Sequence, residues 1–145
     1  MKRMTQMVSC IFLVLFSMSI QAQTKTEPWT EAQLKPTQEL ADEINAGKTK
    51  QLIINIGPQA VIKGSVDVGP GSEKANVKKM EKILAKADKN QEVILYCGCC
   101  PFERCPNVRP AFTALKEQGF TKARLLNIPK NIKTDWIDKG YPVAK

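Results

Sequence analysis

"VILYCGCCPFERCPNVRPAF", residues 93–112, sets four cysteines, Cys97, Cys99, Cys100 and Cys105, within nine positions directly behind an apolar run. That run, "EVILY" at 92–96, is the clearest strand in the chain. Behind the cysteines, Val108, Ala111, Phe112 and Leu115 recur at helical spacing, and Gly119 ends the pattern. The order is therefore strand, cysteine loop, helix. In a parallel α/β sheet the ligand site lies beyond the carboxyl ends of the strands, and Cys97 is the first residue past this one. The helix starting near Asn107 offers unpaired N–H groups and the positive end of its dipole, which favour an anion and lower the pKa of a thiol.

The flanking sequence supplies the rest of such a sheet. "TQELADEINAG" (37–47) spaces Leu40 and Ile44 as a short amphipathic helix stopped by Gly47, and "QLIINIG" (51–57) reads as a buried strand. "VIKGSVDVGPG" (61–71) predicts a short edge strand and a turn, after which Ser72 is expected to cap a helix carrying Val77, Met80, Leu84 and Ala87. "ARLLNI" (123–128) is a further strand and "IKTDWIDKG" (132–140) a short closing helix. Strands alternating with helices imply an α/β fold, a small mostly parallel sheet flanked by helices.

Residues 23–36, "QTKTEPWTEAQLKP", are polar with two prolines and read as a lead-in arm to a domain over 37–145. Residues 1–22 read as a secretory signal peptide, with Lys2 and Arg3 ahead of an apolar run and a cleavage point after Ala22. The run is too short for a membrane span. Export to the bacterial periplasm, with no stable membrane span after cleavage, is the expectation. Cys10 lies in the removed part.

Composition excludes several chemistries. The chain has no histidine, which removes Cys–His and Ser–His catalysis, histidine metal ligation and c-type haem attachment. Without Lys2 and Arg3, twenty basic and fourteen acidic residues remain, a net charge of +6. Much of the excess is scattered lysine around one helix, from Lys74 to Lys89, without interleaved aromatics, so no nucleic-acid partner is expected and small anions are. Trp29, Trp136 and Tyr141 are expected in packing roles.

Three readings of the cysteines stand side by side. A metal site would draw on Cys99, Cys100 and Cys105, although adjacent Cys99 and Cys100 serve one tetrahedral ion poorly. Disulfides suit an oxidising compartment, but a bridge inside nine residues closes a small loop and stabilises least. The third reading is a reactive thiol, Cys97, in a cradle of backbone amides. There the loop from Gly98 through Cys99, Cys100, Arg104 and Cys105, with Arg109 beyond it, binds or serves a small anionic donor.

Over nearly all of the mature chain the sequence resembles the rhodanese-like superfamily. The parallels are "LIINIG" for the early strand, "IKGSVDVG" for the family's glycine turn and "VILYC" for the strand that delivers the active cysteine. "FTALKEQGF" resembles the following helix and "DWIDKGYPV" the terminal Trp and Gly-x-Pro-Val. The resemblance implies sulfur transfer through a persulfide on Cys97, with a small anionic sulfur donor, a thiol acceptor (a protein among the candidates) and no cofactor. It also implies departures. Asn55-Ile56-Gly57 stands where the family has Asp-x-Arg, and Val61 where it has a histidine. The active loop is about five residues longer through "CCPFERCP". A phosphatase needs an arginine six positions after its cysteine, and that position holds Glu103, with Arg104 one step too far. A non-catalytic thiol-redox or metal-binding module on the same fold is the alternative.

Overall fold

The computed structural model describes residues 29–145. The segments 1–22, read as a signal, and 23–28 of the lead-in arm lie outside the described residues.

Five parallel strands form one sheet in the order β1-β5-β4-β2-β3: β1 Leu34–Lys35, β2 Leu52–Asn55, β3 Val66–Asp67, β4 Val93–Tyr96 and β5 Ala123–Leu126. The helices are α1 Thr37–Asn45, α2 Lys74–Leu84, α3 Val108–Glu117 and the short α4 Ile132–Asp135. The α/β architecture matches the sequence expectation. β2 and β4 form the centre, and each is buried on both faces, which is why both read as continuous apolar runs.

Strand alternation sorts the core into two layers. Val93 and Leu95 of β4 join Ile54 with Met80 and Leu84 of α2 and Leu115 of α3. Ile94 and Tyr96 point the other way, toward Leu40 of α1, Leu126, Ile128 and Trp136. The period of two carries past the strand end, so Cys97 falls on the α2–α3 side with Val93 and Leu95.

The arm is less separate than the sequence suggested. Leu34 and Lys35 pair with Leu125 and Leu126, so the part of 23–36 next to the domain is the edge strand of its sheet. Lys35 is only 2% exposed and meets Glu39 at 2.6 Å and Glu43 at 2.9 Å, with Glu92 at 3.9 Å. Burial opposes its charge, but the bonds to Glu39 and Glu43 outweigh that and hold its pKa above the usual lysine value.

Two element readings change. Ser72 does not cap α2: the cap position is Glu73, and the Ser72 N–H donates instead to Asn107 Oδ1 at 3.1 Å. The closing helix breaks at Trp136 into α4 and a 3₁₀ turn, Ile137–Lys139. Trp136 is fully buried and its Nε1–H donates to the Pro142 carbonyl at 2.9 Å, so the chain turns where the indole enters the core. Gly47 and Gly119 follow the ends of α1 and α3 with positive φ, as the stops predicted.

Candidate functional site at the carboxyl edge of the sheet

The chain leaves β2 toward β3 on one side, then returns through β4 to the other side of β2. The carboxyl ends of β2 and β4 therefore flank the point where strand order reverses, the usual crevice of such sheets. Gly57 follows β2 and Cys97 follows β4, joined by the Ile56 N–H donating to the Tyr96 carbonyl at 2.9 Å. Asn55, fully buried, fixes the turn: its Oδ1 accepts from Gly57 N–H and its Nδ2 donates to the Gly57 carbonyl, both at 3.1 Å, and to Asp67 at 2.9 Å. A Cβ on Gly57 would stand 3.1 Å from Cys97 Sγ, so the absence of a side chain there leaves room beside the sulfur.

The loop after Cys97 brings the other cysteines back to it. Gly98 packs against Ile132, where a Cβ would overlap the Ile132 side chain, and its carbonyl accepts from Ile132 N–H at 2.9 Å. Phe102, in the 3₁₀ turn Phe102–Arg104, is buried in the α2–α3 core and anchors the loop's far end. The result gathers the sulfurs of Cys97, Cys99 and Cys105 within 4.8 Å of one another. Cys97 and Cys99 are 3.3 Å apart, as are Cys99 and Cys100. Cys100 also contacts Cys105 through its thiol. All four are free thiols, with Cys97 and Cys105 buried, Cys100 half-buried and Cys99 exposed.

One of these carries the charge. Cys97 is held well down, at about 5, chiefly by a hydrogen bond from the Cys105 thiol, against burial; Asn107 and the Cys99 N–H and thiol add to it. Its neighbours move the opposite way. Burial, then contacts with Cys100 and Cys97, push Cys99 up to about 12 although much of the residue faces solvent. The bond to Cys97, then burial, pushes Cys105 up as well. The group thus holds one thiolate with protonated thiols as its donors.

The cradle differs from the expected one of backbone amides. Around Cys97 the backbone supplies the Cys99 N–H, and the other donors are the Asn107 amide at 3.3 Å and thiols. The longer loop explains this. Pro101 and Pro106 have no N–H, and the amides of Arg104, Cys105 and Val108 close turns inside the loop on Pro101, Phe102 and Cys105 carbonyls.

Sequence reasoning missed Asn107. It occupies the cap position of α3 without bonding that helix's own N–H groups. Ser72 N–H can only donate, so it takes Oδ1 and leaves Nδ2 for the sulfur. Its signal was an asparagine directly before a helical apolar pattern.

The two arginines are placed apart in role. Arg104 is exposed on the 3₁₀ turn. The Arg109 guanidinium lies 5.0 Å from the Trp29 ring centre, and Trp29 packs edge-on against Phe112 at 4.8 Å. Of the trio Cys99, Cys100 and Cys105 read from the sequence as a metal alternative, Cys99 and Cys105 gather with Cys97 at a spacing a soft metal ion could use, and Cys100 lies 3.3 Å from Cys99. The lysines of α2 face solvent, as expected for a solvated helix face. Among the described residues no helix is long and apolar enough to cross a membrane.

No protein-family model matches the chain. No curated protein sequence matches it either. Among solved structures it is similar to the solution NMR structure of a rhodanese-like domain from Anabaena sp., with 14% identity over 77% of this chain and 78% of that one, at a TM-score of 0.55. The chain has a rhodanese-like fold, with its cysteine cluster at the loop following the central strand.

Proposed function

We propose that the protein is a sulfurtransferase that carries sulfane sulfur as a persulfide on Cys97. The observation that supports this most directly is the placement of the Cys97 sulfur at the crevice between β2 and β4, among hydrogen-bond donors and free of a side chain on its Gly57 side. In the first half-reaction Cys97 Sγ attacks the outer sulfur of a donor such as thiosulfate. The Sγ–S bond forms as the donor's S–S bond breaks, and sulfite leaves with the electron pair. Asn107, Cys105 and the Cys99 N–H surround Cys97 Sγ, so they stabilise the attacking thiolate and the same thiolate when it is the leaving group. In the second half-reaction a thiol or cyanide takes the outer sulfur and the Cys97 thiolate leaves.

The neutral Asn107 amide donates to the sulfur, where a carboxylate would oppose its negative charge. The signal-like residues 1–22 support export, and we assign the protein to the bacterial periplasm, where cell fractionation with an antibody to the mature chain tests the assignment. For the activity, the test is thiosulfate treatment of reduced protein followed by peptide mass spectrometry and a thiocyanate assay. One added sulfur on Cys97 is expected, with thiocyanate formation abolished in Cys97→Ser. A Cys97→Ser variant as active as the wild type would refute the reading.

A further inference from the structure

We infer that Cys99 resolves the Cys97 persulfide, releasing the sulfane sulfur as hydrosulfide and leaving a Cys97–Cys99 disulfide for an external dithiol protein to reduce. The inference rests on the persulfide reading and adds the fate of the sulfur and the class of partner.

Contact geometry selects the step. The Cys97 and Cys99 sulfurs are 3.3 Å apart, and the two residues flank only Gly98. Displacement at sulfur runs in line. For Cys99 to take the outer sulfur from Cys97, the end sulfurs would have to lie at least about 4 Å apart, two S–S bond lengths. A separation of 3.3 Å is too short for that and suits direct attack on Cys97 Sγ.

The chemistry balances without a further reagent. Cys99 Sγ forms a bond to Cys97 Sγ, and the bond from Cys97 Sγ to the outer sulfur breaks. The electron pair leaves on that sulfur, and the Cys99 thiol proton goes with it as HS⁻. The sulfane sulfur gains two electrons, and the two cysteine sulfurs are oxidised to the disulfide. The partner dithiol then supplies two electrons and two protons to restore both thiols.

The other cysteines fit the step less well. Cys105 is buried at 4% exposure and serves as a donor to Cys97, so a disulfide there would be closed to a protein reductant. Cys100 touches Cys99 and Cys105, and a bridge between adjacent Cys99 and Cys100 would strain the peptide that joins them. Cys99 is the exposed member. A dithiol partner would attack its sulfur and expel Cys97, the best-stabilised thiolate of the group.

The test uses reduced protein with one equivalent of thiosulfate and no added reductant, in the absence of air. The wild type is expected to release one hydrosulfide per chain, lose two thiols and yield a peptide with Cys97 and Cys99 linked. Cys99→Ser and Cys99→Ala are expected to keep one added sulfur on Cys97, with hydrosulfide release reduced at least tenfold. Full release from both variants, or a linked pair of Cys97 and Cys105, would overturn the inference while leaving the persulfide intact. A wild-type chain holding sulfur on Cys97 without release would do the same, and a chain that takes up no sulfur would overturn both readings.

Discussion

Asn107 sets its Nδ2 3.3 Å from Cys97 Sγ while its Oδ1 holds the Ser72 N–H at 3.1 Å. One side chain thus ties the thiolate to the turn ahead of α2, and its amide orientation is fixed by a backbone group that can only donate. Replacing it with aspartate keeps the Ser72 bond but removes the donor and adds a like charge. In Asn107→Asp the first proton of the cluster should titrate at least ~1 pH unit higher than in the wild type. Thiolate absorbance against pH measures it, and an unmoved midpoint would show that Asn107 does not stabilise the charge.

The pH dependence of stability has a defined sign. Cys97 falls from the ordinary thiol value of 9.0 to about 5 on folding, so above 9.0 its stabilisation is fully present. As pH drops from there toward 5 the unfolded chain binds the proton first, and stability is lost progressively. Cys99 and Cys105 are raised and act above that window, where their contribution is lost as pH rises. Urea unfolding of wild type and Cys97→Ser at several pH values should show their stability difference shrinking from pH 9 to pH 5. A constant difference would contradict the assignment of the charge.

Gly57→Ala separates space from folding. Its backbone is not in the left-handed region, so the substitution adds a methyl 3.1 Å from Cys97 Sγ and 3.3 Å from Asn55 Oδ1 with little backbone strain. Stability should fall by roughly 1 kcal/mol, an ordinary cost for a tight contact. Persulfide loading from thiosulfate should fall much further, by about tenfold or more. Equal loading in variant and wild type would mean that the outer sulfur does not occupy this side.

The sequence carried the sheet because its central strands, β2 and β4, are long enough and apolar enough to be read locally. Cys97 was legible for the same reason: it follows the clearest strand. What surrounds it was not. The Asn107–Cys97 contact spans ten residues of a loop whose path depends on Phe102 entering the core and on two prolines withdrawing amides. The gathering of Cys97, Cys99 and Cys105 is likewise a product of that path, which spacing along the chain does not give. β1 escaped notice because two residues have no period, and its partner Leu125–Leu126 lies some ninety residues away.

That edge strand supplies a prediction independent of the cysteines. The Lys35 ammonium is enclosed by Glu39, Glu43 and Glu92, which themselves reach solvent. Lys35→Met keeps the apolar stem but leaves three carboxylates converging without a cation. Because those carboxylates are partly hydrated, the loss should be roughly 1–3 kcal/mol, short of the 3–5 expected for breaking a fully buried pair. Neutralising one carboxylate relieves their repulsion, so the penalty should be smaller when Lys35→Met is made in a Glu43→Gln chain. Denaturant midpoints of Lys35→Met, Glu43→Gln and the double variant test it. A penalty unchanged by Glu43→Gln would mean that the glutamates do not need the charge of Lys35.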